Sequence, residues 1–248
     1  MPAEYVSVID DLPMQEAHGF HFVQIGPHRL WLGDAYQIRP MLGFMDADVM
    51  DPPYVFRAKG GGHYRKSRTG MDQIMDEGLD QGFNHKIINP LLCGAAIVFC
   101  HNDQLPKLLP YLDGSFKRQA VCIWRKKNPQ PVANKHYRPV FEFYVHAWND
   151  GYHPQGALAD LDRQVTAYSP RGADKFGHAT VKPIAVMDKI MANVAGERLC
   201  DPFMGTGSTG VAAIRAGKRF EGIEHNPQHF ATAVRRCTEA YQAMQEAA

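Results

Sequence analysis

Seven short apolar runs punctuate the chain, and most of them end in a polar or turn-forming residue. They read HRLWLGDA from residue 28, ADVMDPPY from 47, GAAIVFCHND from 94, QAVCIWRK from 119, VFEFYVHAW from 140, ERLCDPFMG from 197 and RFEGIEHNP from 219. Runs of that length, rich in β-branched and aromatic residues, predict strands. Helical spacing of apolar residues predicts helices over KPIAVMDKIMANVA (182–195), STGVAAIRAG (208–217) and PQHFATAVRRCTEAYQAM (227–244). Strands alternating with helices imply an α/β domain around a mostly parallel sheet. Residues 57–85 and 149–177 are rich in glycine and polar residues and read as long surface loops. No internal repeat or linker divides the chain, so 1–248 reads as a single domain.

Composition narrows the class only a little. The 248 residues are 45% hydrophobic and 21% charged with a formal net charge of +1, so local charge matters more than the total. Five cysteines without a CxxC pair read as reduced core thiols of a cytosolic protein. The N-terminus MPAEYVSVIDDLP has acids and no apolar core, and no run is long enough to span a bilayer. A soluble, cytoplasmic protein with no metal centre is the expectation.

Two strand ends carry the chemistry. In ADVMDPPY the strand runs into Asp51, Pro52, Pro53 and Tyr54. Proline carries no N–H and fixes its own φ, so the ladder stops there and the residue before it is held extended. The result is a stiff tip offering a carboxylate, backbone carbonyls and an aromatic ring. In ERLCDPFMGTGSTG the glycines Gly205, Gly207 and Gly210 fit G-x-G-x-x-G between a strand and a helix, with Glu224 about 20 residues on. A dinucleotide would place its pyrophosphate on that helix N-terminus. Asp201, just before the turn, would repel a diphosphate and attract an amine. S-adenosylmethionine fits better: an ammonium for Asp201, a carboxylate for the helix amides and a ribose for Glu224.

Both motifs together resemble the amino-group DNA methyltransferases, which methylate N6 of adenine or N4 of cytosine. The resemblance rests on DPPY, on DPFMGTGSTGVAA with GKRFEGIE, and on HATVKP (178–183), supported by LWLGDA and CIWRKKNPQP. The catalytic motif precedes the cofactor motif, as in the permuted beta group of that family. The resemblance implies a Rossmann-like fold with a seven-stranded sheet, one strand antiparallel, and helices on both faces. It implies that Asp201, Phe203, Gly205, Thr206 and Gly207 line the methionine part of S-adenosylmethionine. Glu224 and Asn226 would serve the ribose, Asp34 the adenine, and Thr180 and Lys182 the far side of the pocket. Asp51 and the Pro52 carbonyl would accept the hydrogens of the target amine, with Pro53 stiffening the tip and Tyr54 stacking on a flipped base. The family's adenine enzymes mostly carry Asp or Asn at the first tip position and its cytosine enzymes Ser, which favours N6 of adenine and leaves N4 of cytosine open.

Two basic stretches without acids, 57–68 and 114–140, suggest phosphate contacts on double-stranded DNA from Arg57, Lys59, Arg65, Lys66, Arg68, Lys126, Lys127, Lys135 and Arg138. Trp124 reads as core. The larger beta-group enzymes insert a target-recognition region where this chain has only 149–177, so a homodimer is expected to supply the missing surface. The sequence does not decide whether a restriction enzyme accompanies the protein. Rival readings are a methyltransferase of RNA or of protein glutamine, and a DNA-binding relative that has lost catalysis.

Overall fold

The structure is a computed structural model that describes residues 9, 11–54, 82–129, 137–171, 176 and 181–247. Ten strands form one sheet in the order β1-β2-β3-β10-β9-β4-β5-β7-β6-β8. All seven strands expected from the apolar runs are present: β3 (His28–Leu32), β4 (Met45–Met50), β5 (Cys93–Cys100), β6 (Arg118–Lys126), β7 (Phe141–Trp148), β9 (Arg198–Asp201) and β10 (Arg219–Glu224). Among those seven only β7 runs antiparallel to its neighbours. The expected seven-stranded sheet is therefore the centre of a larger one.

The extra strands lie at the edges. β1 (Met14–Ala17) and β2 (Phe20–Ile25) form a hairpin on β3. Its turn places His18 at φ 55° and Gly19 at φ 79°, the two positive angles that suit strand twist in a two-residue turn. At the other edge β8 (Gln164–Ala167) pairs in parallel with β6. Residues 149–171 are thus not the free surface loop expected. Besides β8, Asn193 ties them to a helix through the Gln155 and Asp160 carbonyls.

Helices cover both faces. Helix α1 (Ala35–Ile38) and α2 (Leu105–Ser115) lie on one side; α3 (Ile184–Asn193), α4 (Ser208–Arg215) and α5 (Pro227–Glu246) lie on the other. Alternate residues of β5 serve the two cores: Ala95, Ile97 and Phe99 face α3–α5, while Ala96, Val98 and Cys100 face α2. All eight residues of β5 are buried, as a central strand covered on both faces requires. The five cysteines are buried and unpaired, and Trp124 is core, its indole N–H donating to the Ala167 carbonyl at 3.2 Å.

The two motif-bearing strands are neighbours although far apart in the chain. β4, which carries the DPPY tip, pairs directly with β9, which carries the glycine loop (Asp48 opposite Cys200). A buried ion pair anchors β4: Arg39 binds Asp48 through two nitrogens at 2.9 and 3.0 Å and the carbonyls of Gly43 and Leu92. Both side chains are fully buried. No helix among the described residues is long and apolar enough to cross a membrane.

Candidate active site

Four neighbouring parallel strands each end in an acid at the same edge of the sheet. In sheet order these are Asp34 after β3, Glu224 ending β10, Asp201 ending β9 and Asp51 after β4. With strands about 4.8 Å apart the row spans roughly 14 Å, enough for an extended small molecule.

Asp201 is the buried centre of the row. Its carboxylate accepts the Phe203 N–H at 2.9 Å and the Thr209 hydroxyl at 2.5 Å. Among the described residues no cation pairs with it, and burial pushes its pKa up to about 7. A carboxylate has about four lone-pair sites, so two remain for a donor. A ligand ammonium would supply the missing charge. The residues therefore fit S-adenosylmethionine here.

Glu224 closes the glycine turn onto β10, accepting Gly205 N–H at 2.8 Å and Asn226 N–H at 2.7 Å. Gly205 and Gly207 hold φ of 54° and 85°, which side chains disfavour. A Cβ on Gly207 would sit 3.1 Å from Ala233 of α5, so helix packing also demands glycine there. Thr206 is buried and turned inward, its carbonyl and hydroxyl meeting Arg236 at 2.5 and 3.3 Å. Asn226 caps α5, accepting from Gln228 and His229, and Asp34 caps α1, accepting from Tyr36. Phe203 meets Tyr36 and Phe83 edge-on at 6.3 and 6.0 Å, an aromatic wall that sequence reasoning missed. Thr180 lies outside the described residues.

At the DPPY tip the structure relocates a residue. Lys182, expected on the cofactor, places its ammonium 2.5 Å from Asp51 and 3.0 Å from Glu142. Tyr54 is buried, and its hydroxyl donates to Glu142 at 2.9 Å. The carbonyl of Pro53 accepts a long bond from Gln104, at 3.4 Å. Burial, with Glu142 nearby, pushes the Asp51 carboxyl up while Lys182 pulls it down; the net direction is up. Burial pushes Glu142 up as well, but Lys182 and Lys126 outweigh it and hold it at about 2. Sequence reasoning missed Glu142 altogether. Its signal was present: an acid in the apolar run VFEFYVHAW, two residues from Tyr144, is buried only with a cation.

Lys126, expected on DNA, pairs instead with Glu142 at 2.7 Å and lies 4.9 Å from the Trp124 ring. Lys127 rests over Tyr168 at 5.3 Å, and Arg138 is exposed; both stand at the edge that carries the acids. Arg57, Lys59, Arg65, Lys66, Arg68 and Lys135 lie outside the described residues. Among the described residues no cluster of three His, Cys, Asp or Glu side chains could hold a metal.

A DNA methylase family model of the N6/N4 type matches residues 49–235, both motifs included. The chain belongs to the amino-group DNA methylase family. That family uses S-adenosylmethionine as methyl donor. Curated relatives are type II methyltransferases: M2.DpnII of Streptococcus pneumoniae, 38% identical over 119 residues (47% of this chain, 41% of its own), and M2.LlaDCHI of Lactococcus lactis subsp. cremoris, 30% identical over 119 residues (47% and 40%). The matched segment spans less than half the length of either relative. Similar solved structures include the M1.HpyAVI–SAM complex (TM-score 0.61, 22% identity, 84% of this chain and 97% of that one) and the PvuII cytosine-N4-specific DNA methyltransferase (TM-score 0.59, 14% identity, 88% and 92%). At such identities they establish the fold.

Proposed function

We propose that the protein transfers a methyl group from S-adenosylmethionine to N6 of an adenine flipped out of double-stranded DNA. The observation that carries this reading is the adjacency of two acid-bearing strand tips, Asp201 on β9 and Asp51 on β4. One holds a place for the donor's ammonium; the other presents acceptors for an amine. The donor supplies an electrophilic methyl on a positive sulfonium. With adenine at Asp34, ribose at Glu224 and methionine at Asp201, the sheet order would put the reactive end beside Asp51.

An exocyclic amine is a poor nucleophile because its lone pair is delocalised into the ring. Asp51 and the Pro52 carbonyl take its two hydrogens and turn the lone pair towards the methyl carbon. The nitrogen–carbon bond forms as the carbon–sulfur bond breaks, sulfur keeps the electron pair, and the methylated amine then passes one proton to Asp51 and on to water. Orientation and fixed dipoles supply most of the acceleration. Asp at the first tip position favours adenine over cytosine. Lys127 and Arg138, with the basic residues of 57–68 and Lys135, would meet phosphates, and a homodimer would enlarge the DNA surface. Transfer of radiolabelled methyl to unmethylated genomic duplex tests the reading. Label in DNA supports it; label only in RNA or protein, or in nothing, refutes it.

A further inference from the structure

Glu142 belongs to none of the motifs, yet it contacts three of the groups that surround the acceptor tip. Its Oε1 accepts the Tyr54 hydroxyl at 2.9 Å and Lys182 at 3.0 Å, and its Oε2 accepts Lys126 at 2.7 Å. Lys182 in turn bridges to Asp51, and it lies 5.2 Å from the Tyr54 ring centre and 5.1 Å from that of Phe99. Two carboxylates and two ammoniums therefore balance in a pocket where the Glu142 and Lys182 side chains are only 12% and 6% exposed. Tyr54 sits within hydrogen-bonding influence of Asp51 as well. A hydroxyl has one proton to give, and Glu142 takes it.

We propose that Glu142 is a positioning residue that competes with Asp51 for the Tyr54 hydroxyl and shares Lys182 with it. By taking the hydroxyl proton to β7 it leaves Asp51 with Lys182 as its one side-chain donor, so lone pairs remain for the target amine, and it fixes the tyrosine ring beside them. Without that competitor the hydroxyl turns to Asp51 and Lys182 bonds to Asp51 alone. Its lone pairs would then be spent on protein hydrogens, and the amine would lose its acceptor. This deepens the proposed methyl transfer and rests on it. A carboxylate is required because a neutral acceptor would lose the hydroxyl to the charged Asp51.

The groups facing Asp51 are Tyr54 on its own tip, Lys182 ahead of α3, Glu142 on β7, Asp201 at the end of β9 and Cys100 at the end of β5. Glu142 raises the Asp51 titration and Lys182 lowers it, so their removal must act in opposite directions. Glu142→Gln should cut kcat at least about tenfold, as the loss of supporting hydrogen bonds does, with S-adenosylmethionine affinity unchanged. Its acid limb should move to lower pH, and that of Lys182→Met to higher pH. Adding Tyr54→Phe to Glu142→Gln should recover part of the missing turnover, since the competing hydroxyl is gone. The opposite shifts confirm that both charges face Asp51, and the rescue is what a structural role alone would not give.

Carbon-13 NMR of the Asp51 carboxyl in the free protein reads the same opposite shifts without any substrate. Should wild type methylate no DNA, the proposed function falls while this titration still decides the competition. Should Glu142→Gln fold poorly, the titration of Tyr54→Phe replaces it: Asp51 should hardly move because the hydroxyl proton is on Glu142, and a clear shift to higher pH would put that proton on Asp51 and overturn the proposal. Shifts of the same sign in Glu142→Gln and Lys182→Met, or a double variant no faster than Glu142→Gln, overturn the proposal.

Discussion

Asp201 and Asp51 are carboxylates pushed up by the same burial, but they keep different company. Asp51 has Lys182, whereas Asp201 has only a hydroxyl, an amide N–H and other acids. With a folded value of about 7 against roughly 3.9 unfolded, Asp201 binds its proton more tightly in the native state. It therefore costs stability increasingly as pH rises from about 4 through 7, by up to a few kcal/mol. Asp201→Asn should be least favourable to stability at pH 5 and gain relative to wild type by pH 8, as denaturant titrations at the two values will show. A bound ammonium lowers that carboxyl, so cofactor binding near pH 6.5 should release a proton. Calorimetry in buffers of different ionisation enthalpy measures it, and Asp201→Asn should abolish it. Asp51→Ala should instead remove methyl transfer and leave cofactor affinity nearly intact; loss of binding would contradict the division of roles. DPPY and the glycine loop were legible because proline and glycine act locally. The pairing of Lys182 with Glu142 was not, because it joins β7 to the segment before α3 across the sheet.

The turn between β9 and α4 shows the same limit for an element. Its glycines were read from spacing, and close approach of cofactor was the expected reason for Gly207. Structure supplies two further reasons, a φ of 85° and a Cβ that would touch Ala233 at 3.1 Å. Gly207→Val should consequently lower the thermal midpoint as well as cofactor affinity, at about 1–3 kcal/mol for the strained backbone. Adding Ala233→Gly should restore part of the stability but none of the φ penalty. Asp48→Ala should cost more, about 3–5 kcal/mol, because Arg39 is left charged and buried. The strands with continuous apolar runs were legible throughout. Helix α2 was missed because Pro106 and Pro110 fall within LPKLLPYLDGS, although Pro106 sits in the first turn, where no N–H is needed. β1, β2 and β8 were missed because these outer strands bury only part of their length and leave a weak pattern.

Across the whole molecule, charge is sorted by position rather than by total. The acids line the strand tips, whereas basic residues such as Lys127 and Arg138 flank them on the β6–β7 side. Replacing Arg65, Lys66 and Arg68 by alanine should weaken DNA binding and flatten its salt dependence, the slope falling by nearly one for each phosphate no longer neutralised. An unchanged slope would put the DNA elsewhere. Within the described residues β8 is taken up by pairing with β6 rather than free to read a target, so light scattering should find a dimer on DNA. In the proposed reaction Asp51 orients an adenine amine to take a methyl group from a donor held at the neighbouring strand. DNA from cells expressing the protein, digested to nucleosides and resolved by mass spectrometry, tests this directly. N6-methyladenine should be present with wild type and absent with Asp51→Ala. N4-methylcytosine in its place, or N6-methyladenine that survives the substitution, would contradict it.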